Sequence, residues 1–490
     1  MKSVTATLFQ VDPRDNVATA LRDVREGEQA LGVTVAAPVA RGHKVALAAI
    51  APGETVIKFG FPIGRATQAI VPGDHVHSHN VATALEASGT YQYRPRAPAQ
   101  RPGASATFDG YVRADGRVGT RNEIWVIPTV GCVARTAEKI AARAAARHKE
   151  KVDGVHALTH PFGCSQLGDD LAGTRAVLAA LASHPNAGGV LIIGLGCESN
   201  QMRALLAEVD PAANIRSLGA QEAGDEIEEG MALVDELVET ASRAVRVAVP
   251  LAKLVIGVKC GGSDGLSGLT ANPLVGRMSD AVTGAGGAAI LTEIPEIFGA
   301  EQLLMERASD ERVFGEIVGM VNGFKRYFTE HGESVSENPS PGNIAGGITT
   351  LEEKSLGAVQ KGGNAAVTDV LPYGGRIRRP GLALLESPGN DAVSSTALAA
   401  AGATILLFTT GRGTPLGFPV PTVKISSNSE LAARKPGWID FDAGRVLDQG
   451  MAPVADALLD QICDVASGSE TVAERNGERE IAIWKRGVTL

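Results

Sequence analysis

From about residue 109 the chain settles into one rhythm: short apolar runs ending in glycine, cysteine or a polar turn, separated by stretches of helical character. "NEIWVIPTVGC", "GVHALTH", "AGGVLIIGLGC" and "KLVIGVKCGG" are near-continuous apolar runs, the pattern of strands covered on both faces. "AEKIAARAAARHKEK" and "DDLAGTRAVLAALASH" read as the intervening helices. Strand and helix in alternation predict βαβ units and a largely parallel sheet. A second series, "GAAILTEIPEIFG", "GLALLESPGND", "GATILLFTTGRG" and "VPTVKISSN", runs to the C-terminus. The boundary falls near 247, where "VRVAVPLAKL" follows a long acidic helix. Two Rossmann-like α/β regions are therefore expected, at 109–246 and 247–490.

Residues 1–92 follow another pattern, with strand-length pieces broken by "APGE", "PIG" and "VPGD", and predict a small, mostly β domain. The stretch "YRPRAPAQRPGASATF", 93–108, has three prolines and no periodicity, and reads as a stiff, exposed linker. A multidomain α/β protein suits a length of 490 residues, too long for one ordinary core. A net charge of −9 and the lack of a basic stripe exclude nucleic acid or an anionic membrane surface as the expected partner. The N-terminus has no signal-peptide run and no segment reaches membrane-span length, so the cytoplasm is the expected compartment. Five cysteines, an odd and sparse set, point to a reducing environment instead of a disulfide framework.

Ligands of open α/β sheets sit beyond the carboxyl ends of the strands. Four of the five cysteines fall there, each next to glycine: Cys132, Cys164, Cys197 and Cys260. Free cysteine is also among the most buried residue types, but four at equivalent positions favour a site. Soft thiolates suit iron, zinc or an iron–sulfur centre, and without a CxxC spacing any such site must be assembled by the fold. In "DHVHSHN", 74–80, His75, His77 and His79 alternate, so an extended strand would project all three from one face. Beside "RGHK" (Arg41 to Lys44) and Lys58, they are candidates for acid–base work, a hydrated edge strand being the bland alternative. A tetrahedral zinc site is poorly served by ligands one residue apart. The polar loops match neither a P-loop nor a dinucleotide fingerprint. Arg121, Asn122, Asp264, Asn272, Asn390 and Arg412 instead suit a small polyhydroxylated anion, guanidinium gripping carboxylate and amides reading hydroxyls, although several would also serve as turn residues.

The motifs "RGHKVAL", "IKFGFPIGRA", "HVHSHN", "ADGRVGTRNE", "HPFGCSQLGDD", "GLGCE", "CGGSDGLSGLTANP", "TEIPEIFGAEQLL", "SPGNDAV", "TGRGTP" and "VKISSNSELA", in this order over nearly the whole chain, resemble the sugar-acid dehydratase family of altronate and galactarate dehydratases. The resemblance implies an N-terminal β-clip domain of the SAF type, two α/β regions behind it, and a need for ferrous iron with manganese as a substitute. It also implies loss of water from D-altronate to give 2-dehydro-3-deoxy-D-gluconate in hexuronate breakdown. "HVHSHN" favours the altronate branch, since the galactarate branch shares "GHK" and "KCGGSDG" without the histidine ribbon. On this footing Cys132, Cys164, Cys197 and Cys260 are expected to hold iron as a Lewis acid, while one of His43, Lys44, Lys58, His77 and His79 takes the C2 proton. The metal could be a labile iron–sulfur cluster or a single ion with harder ligands such as His160, Asp264 or Glu293. Alternatives are dehydration of galactarate or another sugar acid, a carbon–sulfur lyase acting on a sulfonated hydroxy acid, and a non-catalytic carbohydrate-binding protein. Assembly of identical subunits is left open.

Overall fold

In the computed structural model, which describes residues 6–97 and 103–490, the two expected parallel sheets are present. The first contains β1 (Glu123–Pro128), β2 (Val155–Ala157), β3 (Ala187–Gly194) and β4 (Ile215–Gly219) in the order β2-β1-β3-β4. The second contains β5 (Val255–Cys260), β6 (Ala288–Leu291), β7 (Val367–Leu371), β8 (Gly381–Leu385), β9 (Ile405–Thr410), β10 (Thr422–Ser426) and β11 (Phe441–Asp442), ordered β7-β8-β6-β5-β9-β10-β11. Every pairing in both sheets is parallel. β1 and β9 are buried at every position, as the apolar runs Ile124–Pro128 and Ile405–Phe408 that make up most of them require. Strand order reverses beside β1 and β3 in the first sheet and beside β5 and β9 in the second, which opens a crevice at the carboxyl end of each.

Helices α1 (Gly168–Ala182) and α4 (Asp391–Ala400) carry Val177, Leu178, Leu181, Ala397 and Leu398 into one apolar cluster with residues of both sheets, so the two regions share a core. The C-terminal tail ties them further. Arg121 pairs with Glu474, Arg479 with Glu123, and the amides of Arg486 and Gly487 bond Asp170. The small N-terminal domain is built from short antiparallel strands, including Val17–Ala20, Lys44–Ala46 and His75–Val76 in one sheet and Thr55–Lys58, Phe61–Ala66 and Val81–Ala82 in another.

Residues 94–97 of the expected linker are exposed, but the segment is also anchored on both sides of them. Tyr93 packs on Phe314 with 5.3 Å between ring centroids, and Arg96 pairs with Glu306. The strand Thr107–Val112 then pairs antiparallel with Val247–Pro250. Ring burial holds the start of this segment against the second α/β region, and a ladder holds its end; residues 98–102 of the expected linker lie outside the described residues. No helix among the described residues is long and apolar enough to cross a membrane.

Candidate functional site

The small domain docks over the crevice of the second sheet, and three glycines set how closely. Gly265, in the loop after β5, donates its amide to Gly346 O at 2.7 Å. A Cβ on Gly265 would lie 1.9 Å from Gly42 O, and one on Gly347, whose φ is +100°, would lie 2.4 Å from the same oxygen. Three backbones from distant parts of the sequence therefore touch where no side chain fits.

Helix α3 (Leu351–Ala358) is the clamp for this contact. All eight of its residues are buried, including Glu352, Glu353 and Lys354. Thr350 caps it and also donates to Ile63 O of the small domain, while Glu352 accepts from Thr83 Oγ1 and the Ala84 amide. Glu353 receives Lys44 Nζ on one oxygen and Lys58 Nζ on the other, each at 2.8 Å, and Lys44 also donates to Gly347 O at 2.7 Å. One carboxylate thus serves two fully buried ammoniums. Burial draws Lys44 down to about 8, helped by the neighbouring Lys58 charge and opposed by Glu353. Burial alone would raise Glu353, but the two lysines outweigh it and hold the carboxyl at about 2.

Beside this trio lies a second buried network. Lys354 Nζ donates to Glu296, Asn338 and Asn343, and Lys259 Nζ sits 3.1 Å from Glu293 and 2.6 Å from Asp391. Cys260 Sγ faces Glu296 at 3.5 Å, and burial pushes its thiol up to about 12.

The histidines cluster, though by a route other than alternation along a strand. Only His75–Val76 is extended; residues 77–80 turn, because Asn80 Oδ1 accepts the His77 amide and the Asn80 amide bonds His77 O. His43 Nδ1 meets His75 Nε2 at 3.0 Å, and His43 and His77 stand 4.8 Å apart by ring centroids. His77 Nε2 bonds Ile344 O, and His79 is exposed with its ring 5.4 Å from that of His75. Burial, with neighbouring positive groups, lowers His75 and His77 to about 4, so both are neutral at physiological pH. A folded-state value below the ordinary 6.5 means that stability is fully present above 6.5 and is lost as the pH falls toward 4. The stabilisation tied to Glu353 is lost lower, from 4.5 down through about 2. Thermal melts taken from neutral pH down to about 4 should show Tm falling across the histidine window, and a His75→Asn/His77→Asn variant should flatten that part of the curve.

The four cysteines do not form one site. Cys260 ends β5 in the second sheet and is buried, whereas Cys132, Cys164 and Cys197 follow β1, β2 and β3 of the first sheet and are exposed. Equivalent strand-end positions had pointed to a common crevice, but the strands belong to two different sheets. Among the described residues, one set of three ligating side chains has its ligand atoms all within 4.8 Å of each other: Cys260, Glu293 and Glu296. That set fits a divalent ion poorly. Lys259 and Lys361 already neutralise Glu293, Lys354 neutralises Glu296, and the thiol keeps its proton. His160 is also excluded as a ligand, because its two ring nitrogens are taken by Pro128 O and the Phe162 amide.

Two of the expected substrate contacts lie elsewhere. Arg121 and Asn122 precede β1, at the end of the first sheet away from its crevice. The Arg121 guanidinium is spent on Glu474, Thr120 O, Val465 O and Ser469 O, and Asn122 bridges Arg113 and Ala241 O. Both hold the C-terminal segment and the strand entry in place. Asn390 caps α4, Asn272 is bonded to Gly357 O and Thr409, and Asp264 accepts from Ser267, Ser427 and Asn428. Arg412 is the freer group, with a 3.3 Å bond to Gly342 O. It lines a cleft of about 290 Å³ with Arg41, Asp264, Gly346, Asn428 and Arg434. Asp264 is shared with a smaller pocket that Lys58, Ser263, Ser267, Asn272 and Lys354 line. Glu353, Lys354, Glu296 and the glycine contact were not singled out from the sequence, although "SPGN", "AGG" and "LEEKSLG" mark the segment that carries most of them.

Comparison with known proteins agrees over the full length. Residues 6–84 match the altronate/galactarate dehydratase SAF domain, 110–242 the second domain of D-galactarate dehydratase/altronate hydrolase, and 251–489 the C-terminal domain of D-galactarate/altronate dehydratase. Altronate dehydratase of Escherichia coli (strain K12) is 51% identical over 98% of this chain and 99% of its own. Altronate dehydratase of Bacillus subtilis (strain 168) is 48% identical over 99% and 100%. Galactarate dehydratase (L-threo-forming) of Escherichia coli (strain K12) is 34% identical over 95% and 94%.

Proposed function

Because the chain belongs to the altronate/galactarate dehydratase family, we infer that it is a hydro-lyase that converts D-altronate into 2-dehydro-3-deoxy-D-gluconate, a step of hexuronate breakdown in the cytoplasm. The observation that carries this reading is the end-to-end identity of about one half with two altronate dehydratases, against one third with a galactarate dehydratase. The junction of the small domain with the second sheet supplies the chemistry. Arg412 and Arg41 suit the carboxylate of a sugar acid in the open cleft, which has room for one such molecule. Lys58 lines the adjoining pocket with one bond to Glu353, so of the five expected acid–base groups it is best placed to act there, taking the C2 proton in its unprotonated amine form. Lys44 acts behind it through the shared carboxylate. His43 and His77 act as neutral rings at the docking contact, bonded to Ala345 O and Ile344 O, and His79 stays exposed beside them. The proton from C2 and the hydroxyl from C3 leave as water, and the enol ketonises to the 2-keto-3-deoxy acid.

Ferrous iron, or manganese in its place, would supply Lewis acidity for loss of a hydroxyl. The test is formation of a 2-keto acid from D-altronate, galactarate and a sulfonated hydroxy acid, each with ferrous iron and reductant. D-Altronate should be turned over fastest; release of sulfite from the sulfonate, with altronate inert, would assign carbon–sulfur cleavage instead. In the same assay Arg412→Ala should raise KM by about 10–100-fold with a smaller change in kcat, as expected for a group that grips the carboxylate throughout the reaction.

A further inference from the structure

At the amino ends of β5, β6 and β8, the end of the second sheet opposite the candidate active cleft, lies a larger cavity of about 390 Å³. Small residues line much of it, among them Gly286, Gly287, Ala400, Ala401 and Gly402, and they leave space that larger side chains would fill. The turn at Gly116 of the first α/β region borders it, and Lys253 Nζ reaches Gly116 O at 3.3 Å. Every carboxylate is missing from this lining. Its five charged residues, Arg117, Lys253, Arg376, Arg378 and Arg379, are all cations, in a chain that has 55 acidic residues against 46 basic ones. Arg117 pairs with Asp115 and Asp210, and Arg378 with Asp369, all three acids standing outside the lining. The other three cations have no carboxylate partner among the described residues. Lys253 has the one carbonyl, Arg376 reaches Glu208 O at 3.4 Å, and the Arg379 guanidinium has no bond. Cations gathered without counter-charge repel one another, and a bound anion removes that cost.

We propose that this cavity binds a small phosphomonoester with an apolar body. Three unpaired cations, two of them guanidiniums, suit the paired oxygens and near-double charge of a phosphate better than a single carboxylate. The volume lies within the range of about 300–1,000 Å³ typical of small-molecule sites, and Val118, Leu254 and Ile377 supply apolar wall. The negative end of α4 does not oppose an anion here, because its last carbonyls are already bonded: Ala397 O by the Ala401 amide, Leu398 O by Ala403, Ala399 O by Gly402 and Ala401 O by Ile377. The cavity binds without catalysing. His184, the one imidazole of the lining, has both ring nitrogens taken, by Ala403 O and the Asn186 amide. Its place ties it to the active centre instead. Both helices of the shared core end there, α1 near Ala180 and α4 at Ala400, and α4 begins with Asp391, whose carboxylate holds Lys259 near the carboxyl end of β5. Nothing in this site depends on which sugar acid is dehydrated, so binding and turnover assays can fail separately.

Isothermal titration of the full chain with phenyl phosphate, inorganic phosphate and benzoate tests the assignment. Phenyl phosphate should saturate one site per chain and bind about 10-fold or more tightly than inorganic phosphate, which lacks the apolar body, or benzoate, which has a single charge. Lys253→Ala/Arg379→Ala removes two cations at exposed positions, where the fold does not need them, and should weaken phenyl phosphate by about 10-fold or more. Arg412→Ala, in the active cleft, should leave its affinity unchanged, as should saturating D-altronate. Thermal melts of the wild-type chain give a readout that needs no variant, since a ligand of the native state raises Tm with its concentration. Four results would each overturn the proposal: no saturable binding of phenyl phosphate up to about 10 mM, its displacement by D-altronate, equal affinity for inorganic phosphate or benzoate, or unchanged affinity in the double variant.

Discussion

Gly265→Ala is expected to lower kcat/KM by about 10²-fold or more while both parallel sheets stay folded. The added Cβ would lie 1.9 Å from Gly42 O, 2.7 Å from Gly42 C and 3.0 Å from Gly42 Cα. All three are backbone atoms, so no rotamer change relieves the clash. Either the loop after β5 retreats and gives up its amide bond to Gly346 O, or the small domain lifts by more than about 1 Å. Both movements separate Lys58 from the pocket shared with Asp264 and Asn272, and a misplacement of about that size is enough for a 10²-fold loss. Initial rates of keto-acid formation measure the effect, with far-UV circular dichroism to show that the sheets persist. Near-wild-type turnover would mean that the interdomain contact is not part of the active centre. A Gly32→Ala control, at a positive-φ glycine with open space around its Cβ position, should cost some stability and little turnover.

The parallel sheets were legible because burial on both faces leaves its mark in every strand of the type of "AGGVLIIGLGC" and "GATILLFTTGRG". Lys44 and Lys58 were legible as basic groups beside the histidine ribbon, and the loop after β5 as the motif "CGGSDGLSGLTANP". Other parts of the site were hidden for physical reasons. "LEEKS" has four polar residues in five, yet every residue of α3 is buried, since the charges that compensate Glu353 come from lysines about three hundred positions away. The histidine ribbon alternates as a strand would, but one side-chain amide, Asn80, captures the His77 amide and folds the second half into a turn. Strand-end cysteines looked equivalent because local sequence records that a strand ends without recording which sheet it joins. Arg121 and Asn122 sit in a polar, glycine-flanked stretch like a binding loop, and only the fold shows that this stretch enters its strand at the end opposite the crevice.

Glu353→Gln should be the most damaging single change to stability in the small-domain contact, at about 3–5 kcal/mol, and should abolish turnover. The amide keeps the shape of the carboxylate but not its charge, leaving Lys44 and Lys58 as two ammoniums with side chains at most 2% exposed and no counter-charge between them. Lys44 already releases its proton at about 8 with the carboxylate present, and without it the release moves lower still. A lysine with a depressed folded-state value gains stability as the pH rises from that value to its ordinary 10.5. The deficit of the variant should therefore be greatest between about 4.5, where Glu353 is ionised in both states of the wild type, and the lowered Lys44 value, and should narrow as the pH rises toward 8. It should narrow again in acid, as the wild-type carboxyl is protonated toward 2. Urea melts at several pH values measure both trends, and a deficit constant with pH would show that the variant loses packing instead of charge. The triple change Lys44→Met/Lys58→Met/Glu353→Leu separates stability from chemistry, since it removes the buried charges together. It should recover much of the lost stability and none of the turnover, because a buried charge network of this kind is kept for what it does to a bound anion and its C2 proton, not for what it adds to the fold.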